Sequence, residues 1–154
     1  MAKKKPAQGK RITNRRARHD YELGDSLVAG IALNGRETKA LRMGHGQLQG
    51  AYVTVKDGEL WLIGAAIHGT AGIPIDDQTK TRSRKLLVKQ REIKALIEAK
   101  QQGKTIVPLE LLTTGRFIKL RLAIGRGKKK YDKRQTLKAR DDQRAAQRAI
   151  ARHR

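Results

Sequence analysis

The sequence has no cysteine, only three prolines and very few aromatic residues, which make up 3% of its 154 positions. Without cysteine it can form neither a disulfide nor a thiolate metal site. Acids are also scarce, because 14 Asp and Glu stand against 36 Lys and Arg, giving a formal net charge of +22. No apolar run reaches the roughly 20 residues that span a bilayer, and the N-terminus lacks the apolar stretch of a secretory signal. These absences favour a cytoplasmic protein with no membrane segment and a polyanionic partner.

The positive charge is concentrated at the two ends of the chain. Residues 1–18 carry a net charge of +8, residues 19–125 only +5, and residues 126–154 carry +9. The last segment, RGKKKYDKRQTLKARDDQRAAQRAIARHR, has only three large apolar residues, Tyr131, Leu137 and Ile150. It therefore buries too little apolar surface to fold by itself. Such arms bind nucleic acids or anionic membranes, and nucleic acid is favoured here.

Two hairpins are predicted in the middle of the chain from alternating apolar residues. In AYVTVKDGELWLIG, Asp57-Gly58 has the composition of a type I′ turn. Pairing outward from that turn predicts one buried face made of Val53, Val55, Leu60 and Leu62. The second hairpin joins residues 104–112 to 116–124 and leaves Lys119 and Arg121 on the face away from the core. Pro108 indicates an edge position or a bulge in its strand.

The remaining segments complete a small, mainly β domain. Residues 17–23 and 27–33 are predicted as two strands around Gly24-Asp25, and residues 35–44 as a short helix. Residues 82–88 are predicted as a strand that leads into a helix ending at Gly103, after a polar loop over 69–82. Six to eight short strands with two or three helices indicate an OB-like antiparallel β-barrel with peripheral helices and a basic C-terminal tail.

Motifs that indicate catalysis are missing from the sequence. GHGQLQG is rich in glycine but lacks G-x-G-x-x-G spacing, and no P-loop, HExxH or G-x-S-x-G motif occurs. Asp76-Asp77 lies in a polar loop without a neighbouring histidine, and His45, His68 and His153 are too scattered for a metal site. We therefore expect a protein that is not an enzyme and needs no cofactor or metal.

Several side chains are candidates for nucleic-acid contacts. Lys119 and Arg121, together with Arg84 and Lys85 on another predicted strand, sit on rigid elements that suit defined phosphate contacts. Trp61 either stacks on a base or packs beneath a helix. Tyr131, inside KKKYDKR, has no core to join, which makes it a candidate for base stacking.

Three stretches, taken in order, resemble the SmpB (small protein B) family, which binds transfer-messenger RNA (tmRNA). They are NRRARHDY (14–21), RSRKLLVKQREI (82–93) and GRGKKKYDKR (125–134), and AGIALNGRETKALR, AYVTVKDGELWL and GKTIVPLELL are also similar to the family. The resemblance implies an OB-like barrel, in agreement with the strand pattern. It also implies a role in trans-translation: binding the tRNA-like domain of tmRNA and delivering it to stalled 70S ribosomes for ribosome rescue and tagging of the nascent peptide.

The resemblance implies site residues in both the barrel and the tail. The positions expected to contact tmRNA are Asn14, His19, Arg84, Lys85, Leu87 and Lys119, to which Lys89 and Arg121 are added on charge and position. The positions expected to contact the 16S rRNA of the small-subunit decoding centre are Lys128, Lys129, Tyr131, Asp132, Lys133 and Arg134. Elongation factor Tu and alanyl-tRNA synthetase are expected only as indirect partners, through tmRNA.

These expectations divide the chain into three parts. Residues 1–13 form a flexible basic arm, residues 14–125 the barrel, and residues 126–154 the tail. The tail is expected to be disordered when free and helical from about residue 136 on the ribosome, where it probes the empty mRNA path. An unspecific electrostatic tether is the alternative for the tail. For the whole chain, the alternative is a structural ribosomal protein whose basic arms are embedded in rRNA.

Overall fold

The computed structural model describes residues 11–152, except for the side chains of residues 130–132 and 136. Most of the predicted N-terminal arm therefore lies outside the described residues. Within them the elements are β1 (Ile12–Thr13), α1 (Ala17–Asp20), β2 (Tyr21–Ile31), α2 (Gly35–Arg42), β3 (Gly46–Gln47), β4 (Tyr52–Lys56), β5 (Glu59–Ile63), β6 (Ala66–Ile67), α3 (Asp77–Lys80), β7 (Arg84–Leu87), α4 (Gln90–Gln101), β8 (Thr105–Leu112), β9 (Lys119–Gly127) and α5 (Lys130–Arg152).

One sheet carries most of the fold. Seven strands run antiparallel in the order β1-β8-β9-β2-β7-β5-β4, while β3 pairs with β6 in a separate two-stranded sheet. The edge strand β4 lies close to β8, although no ladder joins these two strands among the described residues. The sheet thus curls back towards itself into the predicted OB-like barrel, with a seam between β4 and β8.

The second predicted hairpin pairs β8 with β9, although β9 begins at Lys119 rather than at residue 116. The first is confirmed in register as well as in position. β4 and β5 pair as Lys56↔Glu59 and Val55↔Leu60, as expected from the turn. Asp57 and Gly58 both have positive φ angles, 54° and 72°, which a type I′ turn requires. In β8 a register shift follows Pro108. Because β1 pairs only with Glu110 and Leu111 of β8, the proline lies at a bulge and on an uncovered edge of its strand.

The prediction of two strands around Gly24-Asp25 is wrong. The structure has one strand, β2, that pairs with β9 from Tyr21↔Gly127 to Gly30↔Lys119. Gly24 and Asp25 form a bulge inside it, since the register shifts between Leu23 and Ser26. The pairing with β9 on both sides of the bulge keeps the strand continuous. Residues 17–20, predicted as strand, form the short helix α1 instead.

Helices α2 and α4 cover the barrel, as their apolar spacing predicts. Asn34 begins α2 by accepting a hydrogen bond from the backbone N–H of Glu37. Leu41 of α2 and Leu96 of α4 are completely buried and join the core. The central residues of that core come from the inner face of the sheet: Ala29, Leu60, Leu62, Leu86, Leu120 and Leu122.

The tail begins later than predicted and is helical where the structure describes it. β9 continues to Gly127, so the barrel ends two residues beyond the predicted boundary at residue 125. Helix α5 then starts at Lys130, and the expectation of a helix from about residue 136 on the ribosome stays a prediction. From Leu137 to Arg152 every side chain of α5 is exposed. A helix of 23 residues is about 35 Å long, so α5 presents a long basic rod without a packed core.

Candidate nucleic-acid interface

Four of the residues predicted to contact tmRNA lie on one outer face of the sheet. Lys119 of β9 and Leu87 of β7 are both Cα partners of Gly30 in β2, one on each side of it. Because Leu86 and Leu120 point into the core, their neighbours Lys85, Leu87, Lys119 and Arg121 point outward. We call the outward surface formed by Val28, Lys85, Leu87, Lys119 and Arg121 the sheet face.

Leu87 is an exposed apolar side chain in the middle of this basic surface. Its side chain is 55% exposed, although it lies in a regular strand. A Cβ atom on Gly30 would be 3.2 Å from the Leu87 Cβ, which is tighter than ordinary contact. The glycine therefore leaves the space that Leu87 occupies over β2, the strand between it and Lys119. An apolar group flanked by cations suits an RNA surface, where sugars and bases alternate with phosphates.

The cations of the sheet face differ in how far neighbouring acids neutralise them. Arg121 donates to Glu110, with Nη1 and Oε1 2.6 Å apart, and Arg11 lies 3.3 Å from the other oxygen of this buried carboxylate. Lys85 pairs with Glu59 at 2.8 Å, but both side chains are about 40% exposed. This ion pair therefore contributes little free energy, and Lys85 can exchange Glu59 for another partner. Lys119 makes no ion pair with any residue that the structure describes. It is thus the strongest candidate on this surface for a phosphate contact.

The prediction that Arg84 contacts tmRNA is corrected by the structure. Its side chain is completely buried, and its Nε lies 2.6 Å from Oε2 of the buried Glu37. Nη1 and Nη2 donate to the backbone oxygens of Ala65, Arg82, Thr79 and Lys80. Burial lowers the pKa of Arg84, and the hydrogen bond and charge of Glu37 oppose this effect. With its donors engaged inside the barrel, Arg84 holds β7 and α2 together and cannot reach RNA.

Lys89 lies two residues beyond Leu87, at the start of α4. Its side chain is exposed, and its backbone N–H donates to the Glu92 carboxylate at 2.9 Å, which fixes the first turn of the helix. Lys89 therefore extends the basic surface past the end of β7.

Asn14 and His19 lie elsewhere along the ribbon that β2 and β9 form. His19 adjoins the end of this β2–β9 ribbon opposite to Gly30, and Asn14 contacts Pro108 of β8, beside its middle. Asn14 donates from Nδ2 to the carbonyl of Pro108 and from its backbone N–H to that of Leu109, which ties β1 to the bulge in β8. His19 lies on α1, with Nδ1 2.9 Å from Oδ1 of Asp20. These two residues are thus distant from Leu87, although a groove lined by both Asn14 and Arg121 connects this second group to the sheet face.

The second group adjoins the point where the tail leaves the barrel. The backbone N–H of Lys128 donates to the carbonyl of Asp20 at 2.8 Å, and its Nζ donates to the carbonyl of Arg18. One turn into α5, Lys133 Nζ lies 3.5 Å from Asp20 Oδ1. We call Arg18, His19, Asp20, Lys128 and Lys133 the tail root. Among the side chains that the structure describes, the tail root attaches α5 to α1 by polar contacts.

Asp20 is the central carboxylate of the tail root, and the sequence-based prediction missed it. The hydrogen bond with His19 is the main reason why the pKa of Asp20 lies below its ordinary value. The charge of Lys133 also lowers this pKa, whereas partial burial raises it. One signal was available, since Asp20 is the only acid among the first 20 residues. Phe117 was also missed: it is 69% exposed, two residues before Lys119, and the Arg116 guanidinium lies 5.4 Å from its ring centre.

The other tail residues predicted to contact the ribosome lie along the first turns of α5 and just before it. Lys129 and Arg134 are exposed, whereas Lys128 and Lys133 already have partners in the tail root. The predictions for Tyr131 and Asp132 concern side chains outside the described ones. Among the described residues, no helix is both long and apolar enough to cross a membrane.

Comparisons with known proteins give one consistent result. The family model described as "SmpB protein" matches residues 11–152. The chain is similar to SsrA-binding protein from Oleidesulfovibrio alaskensis, 43% identical over 99% of this chain and 100% of that protein. It is also 46% identical to SsrA-binding protein from Azotobacter vinelandii, over 97% and 96% of the two chains. A chain in the solved structure "tmRNA-SmpB: a journey to the center of the bacterial ribosome" aligns with a TM-score of 0.63 and 39% identity, over 78% of this chain and 85% of that one. With a family model that covers almost every described residue and relatives that match along their full length, the chain belongs to the SmpB family.

Proposed function

We propose that this protein binds tmRNA and brings it to stalled ribosomes in trans-translation. The observation that carries the proposal is the arrangement of Leu87 and Lys119 on either side of Gly30. It provides an exposed apolar contact and an unneutralised cation on a rigid part of the sheet. The tRNA-like domain of tmRNA is the RNA that we assign to this surface, in keeping with the names of the similar proteins.

The tail supplies the second half of the proposed function. Helix α5 is basic, exposed from Leu137 to Arg152 and attached to α1 at the tail root. We assign it to the decoding centre and the empty mRNA path of the small subunit, where its cations would face 16S rRNA phosphates. A helix without tertiary packing is marginal in water, so we expect α5 to be populated more fully on the ribosome than in the free protein.

We further propose that the protein acts by binding and positioning, not by catalysis, and that it works in the cytoplasm with the ribosome. The sheet face and the tail root offer cations, amides and exposed apolar groups, which are the groups that RNA recognition uses. Neither surface brings a nucleophile next to a general base.

The test is to sequence the RNA that copurifies with the tagged protein from cells. We expect one structured small RNA, tmRNA, to be strongly enriched, and its enrichment to fall when Lys119 is replaced by Gln. Recovery of rRNA alone, in ribosomes that keep the protein at high salt, would instead support the alternative of a structural ribosomal protein.

A further inference from the structure

A cavity of about 510 Å³ opens at the barrel seam, away from the sheet face. It lies where β1 stops at Thr13 and leaves the first half of β8 uncovered opposite the start of β4. Its walls come from the end of β1 and α1, from residues 49–52, and from residues 105–108 of β8. Its volume falls within the range of about 300–1,000 Å³ that is typical of small-molecule sites.

The side chains around this cavity combine aromatic rings with amides. Tyr52 and Tyr21 both line it, and Tyr52 is 53% exposed although it begins a regular strand. Asn14 and Gln49 line it as well. Nδ2 of Asn14 is engaged with Pro108, and Oε1 of Gln49 accepts from Gln47. Asn14 Oδ1 and Gln49 Nε2 make no hydrogen bond to another described residue, which leaves one acceptor and one donor.

Cations stand at the rim of the cavity. Arg16 lines it directly, and Arg15 lines adjoining grooves together with Arg16 or Asn14. The Arg16 side chain is 64% exposed, and Asp20, which also lines the cavity, lies 4.0 Å from its Nε and offsets part of the positive charge. Gly50 and Ala51, on the opposite wall, bring no charge and little bulk. A ligand with a flat polar group and a negatively charged backbone would match this combination.

We propose that this seam cavity binds an unpaired nucleobase of an RNA partner. The base stacks on Tyr52, its edge reaches Asn14 and Gln49, and the flanking phosphates lie against Arg15 and Arg16. Unstacked bases are recognised in this way, by aromatic stacking and amide hydrogen bonds. The proposal deepens the proposed function, because it gives the barrel an RNA contact separate from the sheet face. The base could belong to tmRNA or to rRNA, since the chemistry is the same.

Tyr52→Leu and Tyr52→Phe separate stacking from other roles of this residue. Both variants keep an apolar side chain at an exposed position, so a thermal melt should show two folded proteins. We expect Tyr52→Leu to lose about 30-fold in affinity, the middle of the range for one base–aromatic stack, and Tyr52→Phe to bind like the wild type. Binding is measured at one salt concentration to the transcribed tRNA-like domain and, separately, to purified small ribosomal subunits.

The two RNA targets identify the source of the base. A loss confined to the tRNA-like domain assigns the cavity to tmRNA, and a loss confined to the small subunit assigns it to rRNA. If Tyr52→Leu binds both within twofold of the wild type, the proposal is overturned. Lys119→Gln is measured in parallel: when it loses affinity and Tyr52→Leu does not, the cavity fails as a site while the proposed function stands.

A titration of the wild-type protein decides the matter even if Tyr52→Leu does not fold. Adenosine and guanosine monophosphates, at millimolar concentration, are expected to shift the NMR signals of the Tyr52 ring and the Gln49 amide. Ribose 5-phosphate serves as the control without a base. Equal shifts with ribose 5-phosphate would mean that only phosphate is bound and would overturn the proposal.

Discussion

Glu37 of α2 and Arg84 of β7 form a buried ion pair, with 2.6 Å between Oε2 and Nε and neither side chain exposed to solvent. Arg82 reaches the other oxygen of the same carboxylate, also at 2.6 Å. A buried guanidinium is tolerated only while its charge and donors are matched. This pair therefore fixes a helix against the sheet and removes one arginine from those available to RNA.

Replacing Glu37 with Gln should destabilise the fold strongly. The change leaves Arg84 buried with an uncompensated charge, and breaking such a pair from one side typically costs about 3–5 kcal/mol. Urea unfolding followed by circular dichroism measures the loss. Glu59→Gln, which removes the exposed partner of Lys85, is the matched control and should cost no more than about 1 kcal/mol. Equal unfolding midpoints for the two variants would contradict the structural role given to Arg84.

Lys119→Gln should weaken binding to the tRNA-like domain more than Arg121→Gln does. Lys119 has no ionic partner among the described residues, whereas Glu110 already compensates part of the Arg121 charge. If Lys119 contacts one phosphate, its loss should also reduce the slope of log affinity against log salt by about 1. Lys39→Gln, at an exposed position on α2, controls for the loss of one charge. Three equal losses would indicate diffuse attraction instead of a defined surface.

Gly30→Ala should reduce RNA affinity through Leu87 without removing any charge. The added Cβ would meet the Leu87 Cβ at 3.2 Å, so Leu87 must shift away from its place over β2. We expect a loss of affinity of several-fold with only a small change in melting temperature. Gly35→Ala is the control, because its Cβ would have no neighbour within 4 Å. Unchanged binding by Gly30→Ala would show that the position of Leu87 is unimportant.

Asp20→Asn should loosen the base of the tail while leaving the barrel folded. The pKa of Asp20 is lowered from 3.8, so its stabilising contacts are complete above that value and are lost as the pH falls through the lowered pKa. At neutral pH, Asp20→Asn should therefore show the tail dynamics that the wild type shows only in acid below 3.8. Backbone ¹⁵N relaxation of residues 130–136 measures this, with Asp25→Asn as the control. A wild-type tail that loosens between pH 7 and 5 would contradict the assignment to Asp20.

Replacing both Tyr131 and Asp132 with Ala should separate tmRNA binding from the later step on the ribosome. Neither residue belongs to the sheet face, so affinity for the tRNA-like domain should stay within about twofold of the wild type. Tagging of stalled peptides should fall, since a lone aromatic in a basic tail is expected to find its partners in rRNA. Asp141→Ala with Asp142→Ala, later in α5, is the control. Full tagging by the first double variant would remove these residues from the proposed tail function.

The local parts of the fold were predictable wherever one short-range rule decided the outcome. The Asp57-Gly58 turn fixed the entire register of β4 and β5, because only a few residue pairs adopt positive φ at both turn positions. The break assumed at Gly24-Asp25 had no such local answer. Gly24 and Asp25 could either end a strand or form a bulge within it. Which of the two occurs depends on the partner strand, β9, which lies about 100 residues away in the sequence.

The residues of the candidate site were likewise predictable only where a local rule decided their position. The alternation in β9 correctly placed Lys119 and Arg121 outside, yet the same alternation applied to β7 puts Arg84 on the inner side with Leu86. The prediction for Arg84 relied on its positive charge and disregarded the alternation along the strand. An arginine can be buried when an acid such as Glu37 faces it. The separation of Asn14 and His19 from Leu87 could not be predicted, because it depends on how the barrel closes.

The β2–β9 ribbon also fixes the distance between the sheet face and the tail root. Gly30, beneath the sheet face, and Tyr21, next to the tail root, pair with Lys119 and Gly127 of β9. These two partners are eight residues apart, a distance of about 26 Å at 3.3 Å per residue. A flexible linker would let the spacing between the two bound RNAs drift, but a paired ladder fixes both its length and its orientation. A single inserted residue would turn the following side chains to the opposite face. Only a bulge, such as the one that Gly24 and Asp25 form in β2, absorbs an extra residue without that effect. The spacing is therefore set by the paired length of both strands, which ties the reach of the tail to the geometry of the barrel.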